Sequence, residues 1–182
     1  MIVALLAAIA AATAPQPPLV VWAFGDGADG SANQRRLAQR VLADDPDRVL
    51  YLGDVYETGT ADEFERNFRR PYRKLLKRML PTPGNHEWAN RATGYNPFWR
   101  RVTGERTRPW YAERLGSWQV LSLNSEALGS AQSRWLGRAL DRDVPCRLAI
   151  SHRPRFSASI HGDQADLQPM WAALRGKAAV WL

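Results

Sequence analysis

The sequence predicts an α/β domain, and three observations carry that reading. Short apolar runs rich in β-formers alternate with stretches of helical periodicity from residue 19 onward. Three of those runs stop at a glycine–aspartate pair or a histidine. The length, 182 residues, suits one domain with a single core. A lone cysteine, Cys146, excludes an internal disulfide framework and any Cys-rich zinc finger. With 45% hydrophobic and 24% charged residues, collagen-like, coiled-coil and wholly disordered chains are excluded too.

Residues 19–24 (LVVWAF) form the first expected strand, stopped by Gly25-Asp26-Gly27. Ser31 or Asn33 can cap a helix through Leu37, Val41 and Leu42 that ends before Pro46. Residues 48–52 (RVLYL) make a second strand, followed by Gly53-Asp54. A helix over residues 61–78, kinked or broken at Pro71, leads through Met79-Leu80 to the rigid Pro81-Thr82-Pro83-Gly84 turn. Residues 85–109 are expected to be mostly loop; the tryptophans read as core or loop packing, with Trp88 and Trp99 as candidate pocket walls. Residues 110–111 and 118–123 read as paired strands, 130–140 as an amphipathic helix, and 147–151 as a strand ending at His152. A last helix at 164–174 and a strand at 178–182 complete the pattern.

The amino terminus is set apart. Residues 1–14 (MIVALLAAIAAATA) form an apolar run ending in the small-x-small pattern Ala12-Thr13-Ala14, and Pro15, Pro17 and Pro18 break it from the rest of the chain. The run reads as a secretory signal, with secretion or periplasmic export as its consequence. The alternatives are a fraying Ala-rich helix or a misplaced start codon, which leave a cytoplasmic protein. At ~20 apolar residues for a span, the run is too short to cross a bilayer comfortably, so no transmembrane segment is expected. Domain boundaries result from this division: residues 1–17 as leader and break, residues 18–182 as the folded domain.

The net charge of +7 raises two readings, a basic anion- or nucleic-acid-binding module and plain solvated helix faces. The densest basic stretch, Arg66 to Arg78, is interleaved with Phe68, Tyr72 and Leu75 at core-facing spacing, which favours solvated faces and no specific nucleic-acid partner.

In an open α/β sheet the chemistry gathers beyond the carboxyl ends of the strands. Asp26, Asp54 and His152 each follow an expected strand, and Asn85 follows the turn after Leu80. Carboxylate, amide and imidazole donors suit Mn, Fe and Zn. Two such ions ~3.5–4 Å apart can activate water and steady the leaving oxygen of a phosphate ester. Asp26 and Asp54 could otherwise cap the following helices, and His152 could be a satisfied core histidine.

Taken together, Gly25-Asp26, Gly53-Asp54-Val55-Tyr56, Gly84-Asn85-His86-Glu87 and Ser151-His152-Arg153-Pro154 resemble the calcineurin-like metallophosphoesterases, and among them the purple acid phosphatase-like branch. The resemblance implies a four-layer α/β/β/α sandwich around a centre of two divalent or trivalent metal ions (Fe, Mn or Zn). It implies Asp26 on the first metal, Asp54 bridging both, and Asn85 with His152 on the second. By the same resemblance His86 is a proton donor or electrostatic stabiliser beside the phosphate, oriented by Glu87, and these two are the catalytic pair. Tyr56 is a further metal candidate, although it stands two residues after Asp54 where the family's iron-binding tyrosine stands three after. Asn85, His86, His161 and Arg153 are the expected substrate contacts, the substrate being a phosphorylated small molecule or other phosphoester.

Two further features depart from the family pattern. Ala28 occupies the place of a second ligand after Asp26, and the Gly-His-x-His motif that gives each metal a histidine is missing. The expectation is therefore a domain lacking its last strands and last ligands, with an uncovered sheet edge. The leading function is metal-dependent hydrolysis of phosphate mono- or diesters. A catalytically inactive truncated fragment of such an enzyme and a basic anion- or nucleic-acid-binding module are the alternatives.

Overall fold

The computed structural model describes residues 18–182; the expected leader, residues 1–17, lies outside the described residues. Among the described residues, seven strands form two sheets. The first sheet is three-stranded and parallel in the order β1 (Val21–Phe24), β2 (Arg48–Tyr51), β3 (Met79–Pro81). The second follows chain order: β4 (Tyr111–Leu115), β5 (Trp118–Ser122), β6 (Cys146–Ile150) and β7 (Val180–Trp181). There β4 is antiparallel to β5, while β5, β6 and β7 run parallel.

Strand alternation sends neighbouring residues to opposite faces, and three apolar clusters result. Val49 and Tyr51 of β2 pack with Phe64, Phe68, Tyr72, Phe98 and Trp99 on one side. Leu50 points the other way, meeting Leu115, Val120 and Ile150 of the second sheet, with Leu52, Leu80 and Leu148 around them. Leu121 and Ala149 face outward again and are covered by Leu136 and Leu140 of α6 (Ser130–Leu140) and by Met170 and Leu174 of α7 (Gln168–Leu174). The polar groups Tyr111 Oη and Ser122 Oγ donate to the Pro81 carbonyl at 2.8 and 3.2 Å, and Thr82 Oγ1 donates to the Leu123 carbonyl at 2.6 Å. These bonds stitch the sheets together just below the ends of β3 and β5.

Helix α1 (Ala32–Ala43) starts at Ser31, whose side chain accepts from Gln34 N at 3.1 Å. The expected helix over 61–78 is helical but not uniform. It opens as α2 (Ala61–Glu63), widens into a π-helical stretch at Phe64–Arg69, resumes as α3 (Arg70–Tyr72) and ends in a 3-10 turn at Leu76–Arg78. Pro71 has no N–H for the Asn67 carbonyl, and that carbonyl instead accepts from Gln34 Nε2. Gln34 Oε1 in turn accepts from Gly30 N at 2.6 Å. The break at Pro71 thus provides an anchor for the loop after β1.

Residues 85–109 are not mostly loop. They contain α4 (Asn85–Trp88) and α5 (Tyr95–Thr103). Tyr95, Phe98, Trp99 and Val102 follow helical spacing and line the core side of α5, and Pro97 sits in the first turn, where its missing N–H costs little. Trp99 is only 2% exposed, a core residue against Phe68 and Phe98 with ring centroids 5.5 and 5.2 Å away. Among the described residues no helix is long and apolar enough to cross a membrane.

Candidate metal centre

The loops after β1, β2 and β3 meet at one rim. Asp26 N donates to the Gly53 carbonyl at 3.0 Å, which places the first aspartate beside the loop carrying the second. Both adopt left-handed backbone, Asp26 at φ 56° and Asp54 at φ 69°. Aspartate tolerates this region better than most residues, but two such positions at one rim mark a strained, over-determined site. The backbone around them is held from below: Tyr51 Oη donates to the Asp54 carbonyl, and Tyr72 Oη donates to the Gly27 carbonyl at 2.5 Å. Gly53, at φ 95°, passes so close to the third loop that a Cβ there would lie 2.6 Å from Gly84 N. At Gly84 a Cβ would overlap the Asp54 carboxylate. Glycine at 53 and 84 is what lets the second and third loops touch.

Asp54 is the hub. It is 2% exposed; its Oδ1 accepts from His86 N at 3.1 Å, while Oδ2 lies 3.4 Å from His152 Nε2 and 3.7 Å from His86 Nε2. Burial pushes its carboxyl above the ordinary value, and the two imidazoles pull the other way. Asn85 Oδ1 lies 2.9 Å from His152 Nε2. Tyr56 Oη donates to Asp26 Oδ1, and its ring lies against His86 with centroids 4.3 Å apart. Burial, together with Asp26 and Asp54, keeps the Tyr56 phenol protonated by raising its pKa. Asp26, Asp54, Asn85 and His152, far apart in the chain, are therefore brought to one rim.

Glu87 differs from its expected role. It is fully buried, and its carboxylate accepts from Gly84 N at 3.0 Å, Asp54 N at 3.2 Å and Val55 N at 3.1 Å. Burial pushes its carboxyl up against those amides, which pull it down. It binds the backbone of the second and third loops rather than the His86 ring, so it is a positioning residue. The ring of His86 is held elsewhere: its Nδ1 meets the Glu57 carbonyl. That carbonyl, and the Leu52 carbonyl that holds His152, escaped sequence reasoning because backbone oxygens carry no residue signature.

His152 crosses from the second sheet, and its Nδ1 lies 2.9 Å from the Leu52 carbonyl. A carbonyl can only accept, so Nδ1 carries a proton and Nε2 is the ring nitrogen turned to the rim. There Nε2, Asn85 Oδ1 and Asp54 Oδ2 converge, a nitrogen and two oxygens of the types that ligate metal cations. Among the described residues no group of three or more His, Cys, Asp or Glu side chains stands ready to hold a metal ion; Asn85 and Tyr56 fall outside that count. The chemistry of the donors fits divalent or trivalent metals.

The remaining expected contacts lie differently. Arg153 is engaged by Glu126 Oε1 at 2.9 Å, Asp166 Oδ2 at 3.0 Å, Gln164 Oε1 at 2.9 Å and the Ser125 carbonyl. His161 is exposed in the loop between β6 and α7, its backbone N–H on Ser159 Oγ at 3.3 Å.

The profile of the calcineurin-like phosphoesterase family matches residues 19–181. No curated protein sequence matches the chain. Among solved structures, a purple acid phosphatase from seeds of yellow lupin (Lupinus luteus) superimposes with a TM-score of 0.66 at 17% identity, covering 84% of this chain and 35% of its own. A hypothetical protein from Thermus thermophilus superimposes with a TM-score of 0.53 at 14% identity, covering 88% of this chain and 65% of its own. At these identities the likeness is one of fold, and the chain spans about a third of the lupin enzyme's length.

Proposed function

The chain belongs to the calcineurin-like phosphoesterase family, and on that premise we propose that it hydrolyses phosphate mono- or diesters at the rim built by Asp26, Asp54, Asn85 and His152. The observation that carries this reading is the convergence of Asn85 Oδ1 and Asp54 Oδ2 on His152 Nε2, at 2.9 and 3.4 Å from that nitrogen. Asp26 and Asp54 would hold one cation and Asp54, Asn85 and His152 a second, Fe, Mn or Zn being suited to these donors; Tyr56, on Asp26, borders the first. Bound there, such ions lower the pKa of water and offset charge on phosphoryl oxygens. The three apolar clusters support an α/β/β/α order for residues 18–182.

In the hydrolysis, a water oxygen bonds to phosphorus and releases a proton, the ester P–O bond breaks, and the departing oxygen takes a proton. His86 gives that proton: with Nδ1 at the Glu57 carbonyl, its Nε2 faces the rim beside Asp54 Oδ2, 3.7 Å away. Asn85, exposed at the start of α4, supplies an amide to phosphoryl oxygens. Glu87 and Tyr51 fix the backbone on which these groups stand, so no reorganisation is needed at the moment of reaction.

The test is turnover of an aryl phosphate with Mn, Fe or Zn by the wild type and by Asp54→Asn, which keeps the shape of the side chain. We expect a loss of about 10²–10³-fold, the scale of removing one electrostatic stabiliser; equal turnover rejects the proposal. The absence of a ready three-residue His/Cys/Asp/Glu group among the described residues favours a second reading, a family fold without turnover. No activity in either protein, with no tight metal in a calorimetric titration, selects it. For residues 1–14 we propose export to the periplasm or beyond, checked by the mass of the mature amino terminus; an uncleaved Met1 contradicts it.

A further inference from the structure

Away from the rim, the positive charge is distributed in two distinct ways. Arg40, Arg66, Arg69, Arg78, Arg153 and Arg155 each have a carboxylate within 4 Å, at 2.5 to 3.8 Å. Within the basic stretch from Arg66 to Arg78, Arg66, Arg69 and Arg78 are paired in this way. A groove of about 610 Å³ between α4 and α5 is different. It is lined by Arg91, Arg100, Arg101 and Arg106 together with Trp88 and Asn96, and no carboxylate belongs to its lining. All four arginines are exposed, and among the described residues none has a carboxylate within the ion-pair distance that the others show.

The groove has a defined shape. Arg91 lies over the Trp88 ring, its guanidinium carbon 4.5 Å from the centroid, and its Nη1 donates to the Trp88 carbonyl at 2.8 Å. Opposite, Thr107 Oγ1 donates to the Asn96 carbonyl at 2.9 Å and clamps the loop bearing Arg106 onto α5. Arg100 follows Asn96 by one helical turn and shares its face. Clustered like charges without counter-charge repel unless an anion sits among them. Guanidinium groups suit phosphate because their fixed N–H forks match its oxygens.

Its position links it to the rim. Asn85 and Trp88 stand three residues apart on α4, on one face of a single turn. We propose that this groove is an anion subsite holding the distal phosphates of a substrate that carries several, its scissile phosphate lying at Asn85. The inference rests on the hydrolytic reading only for the place of the scissile group. A short oligophosphate fits better than a nucleic-acid strand, because strand binders present successive aromatic platforms, whereas Trp88 is the one aromatic in the lining and Arg91 covers a face of it.

The experiment measures binding, not turnover. Inorganic tripolyphosphate is titrated calorimetrically into the full chain without added metal, at about 50 and about 200 mM salt, where counterion release makes affinity fall. Arg100→Ala/Arg106→Ala is expected to bind about tenfold more weakly, while Arg69→Ala/Arg73→Ala, which removes equal charge elsewhere, is expected to bind like the wild type. Circular dichroism confirms that each variant is folded. Equal affinity in the groove variant overturns the inference, as does an equal loss in the Arg69/Arg73 control, which would reduce it to net charge. A single-stranded oligonucleotide that binds through Trp88 and is not displaced by tripolyphosphate also overturns it. Groove binding that persists while aryl phosphate turnover fails sinks the hydrolytic proposal alone.

Discussion

The two sheets contribute unequally to the rim. The three-stranded sheet delivers Asp26, Asp54, Asn85 and His86 on three consecutive loops, all tied to one another by backbone or buried side-chain bonds. The four-stranded sheet delivers His152 alone, and that imidazole is located by its two ring nitrogens, on the Leu52 carbonyl and on Asn85 Oδ1, both from the other sheet's loops. The difference is one of internal bracing. The first half of the rim is a self-supporting loop network around a buried carboxylate, and the second half is a side chain leaning on it. Stability and function should therefore separate: damage to the first half should unfold the site, and damage to the second should be felt mainly in position.

The largest effect is expected at Glu87. Its buried carboxylate satisfies three amides from Gly84, Asp54 and Val55. Each buried donor left unpaired costs about 1–3 kcal/mol, and breaking a buried charged network costs about 3–5 kcal/mol. Glu87→Ala should lower the unfolding free energy by about 3–5 kcal/mol in urea denaturation. Glu87→Gln, which keeps an acceptor oxygen, should lose less. If Glu87→Ala lost under about 1 kcal/mol, water would be serving those amides and the bracing argument would fail.

That contrast also explains what could be read from the chain alone. The donors of the rim were legible because most follow a run such as LVVWAF or RVLYL whose pattern announces a strand. The role of Glu87 was not, because a glutamate after Asn-His looks like a partner for the adjacent ring, and only the close approach of Gly84 to Asp54 turns it toward backbone. Helix α5 departs from expectation for a physical reason: Gly94 and Pro97 suggest a loop, yet Pro97 falls in the first turn, where no hydrogen bond is lost. The apolar spacing of Tyr95, Phe98, Trp99 and Val102 was present all along. The π-helical stretch before Pro71 had no sequence signal beyond the proline, since its use depends on Gln34 arriving from another helix.

Arg153 sharpens the comparison on the weaker side. It joins the turn after β6 to Glu126, Gln164 and Asp166, which braces the loop next to His152. The pair is only partly buried, 25% and 13% exposed for Arg153 and Glu126, so the expected cost of Arg153→Ala is about 2 kcal/mol, between the surface and buried limits. In a chain of this size that is a drop of roughly 4–8 °C in Tm. Arg153→Lys should recover little, because one ammonium cannot serve partners on several sides. An unchanged Tm with a raised KM for the aryl phosphate would return Arg153 to the substrate.

The smallest effect is also the most specific in pH. Glu63 accepts from Glu57 N at 2.7 Å, Thr58 N at 3.2 Å and Thr60 N at 2.9 Å, and so fixes the segment whose Glu57 carbonyl holds the His86 ring. Burial acts to raise its carboxyl, but the amides of Thr60, Glu57 and Thr58 outweigh it and hold the pKa at about 2, against an ordinary 4.5. A depressed carboxylate contributes stability above its unfolded pKa and loses it as pH falls through the folded one. Glu63→Gln should therefore cost about 1 kcal/mol at pH 7, the scale of a lost cap. The gap between wild type and variant should stay constant down to pH 4.5, shrink between 4.5 and about 2, and close below that. A gap independent of pH across that window would mean that the amides bind the neutral amide oxygen of the Glu63→Gln variant as well as they bind the carboxylate, and that the charge of Glu63 contributes nothing to holding the His86 side of the rim.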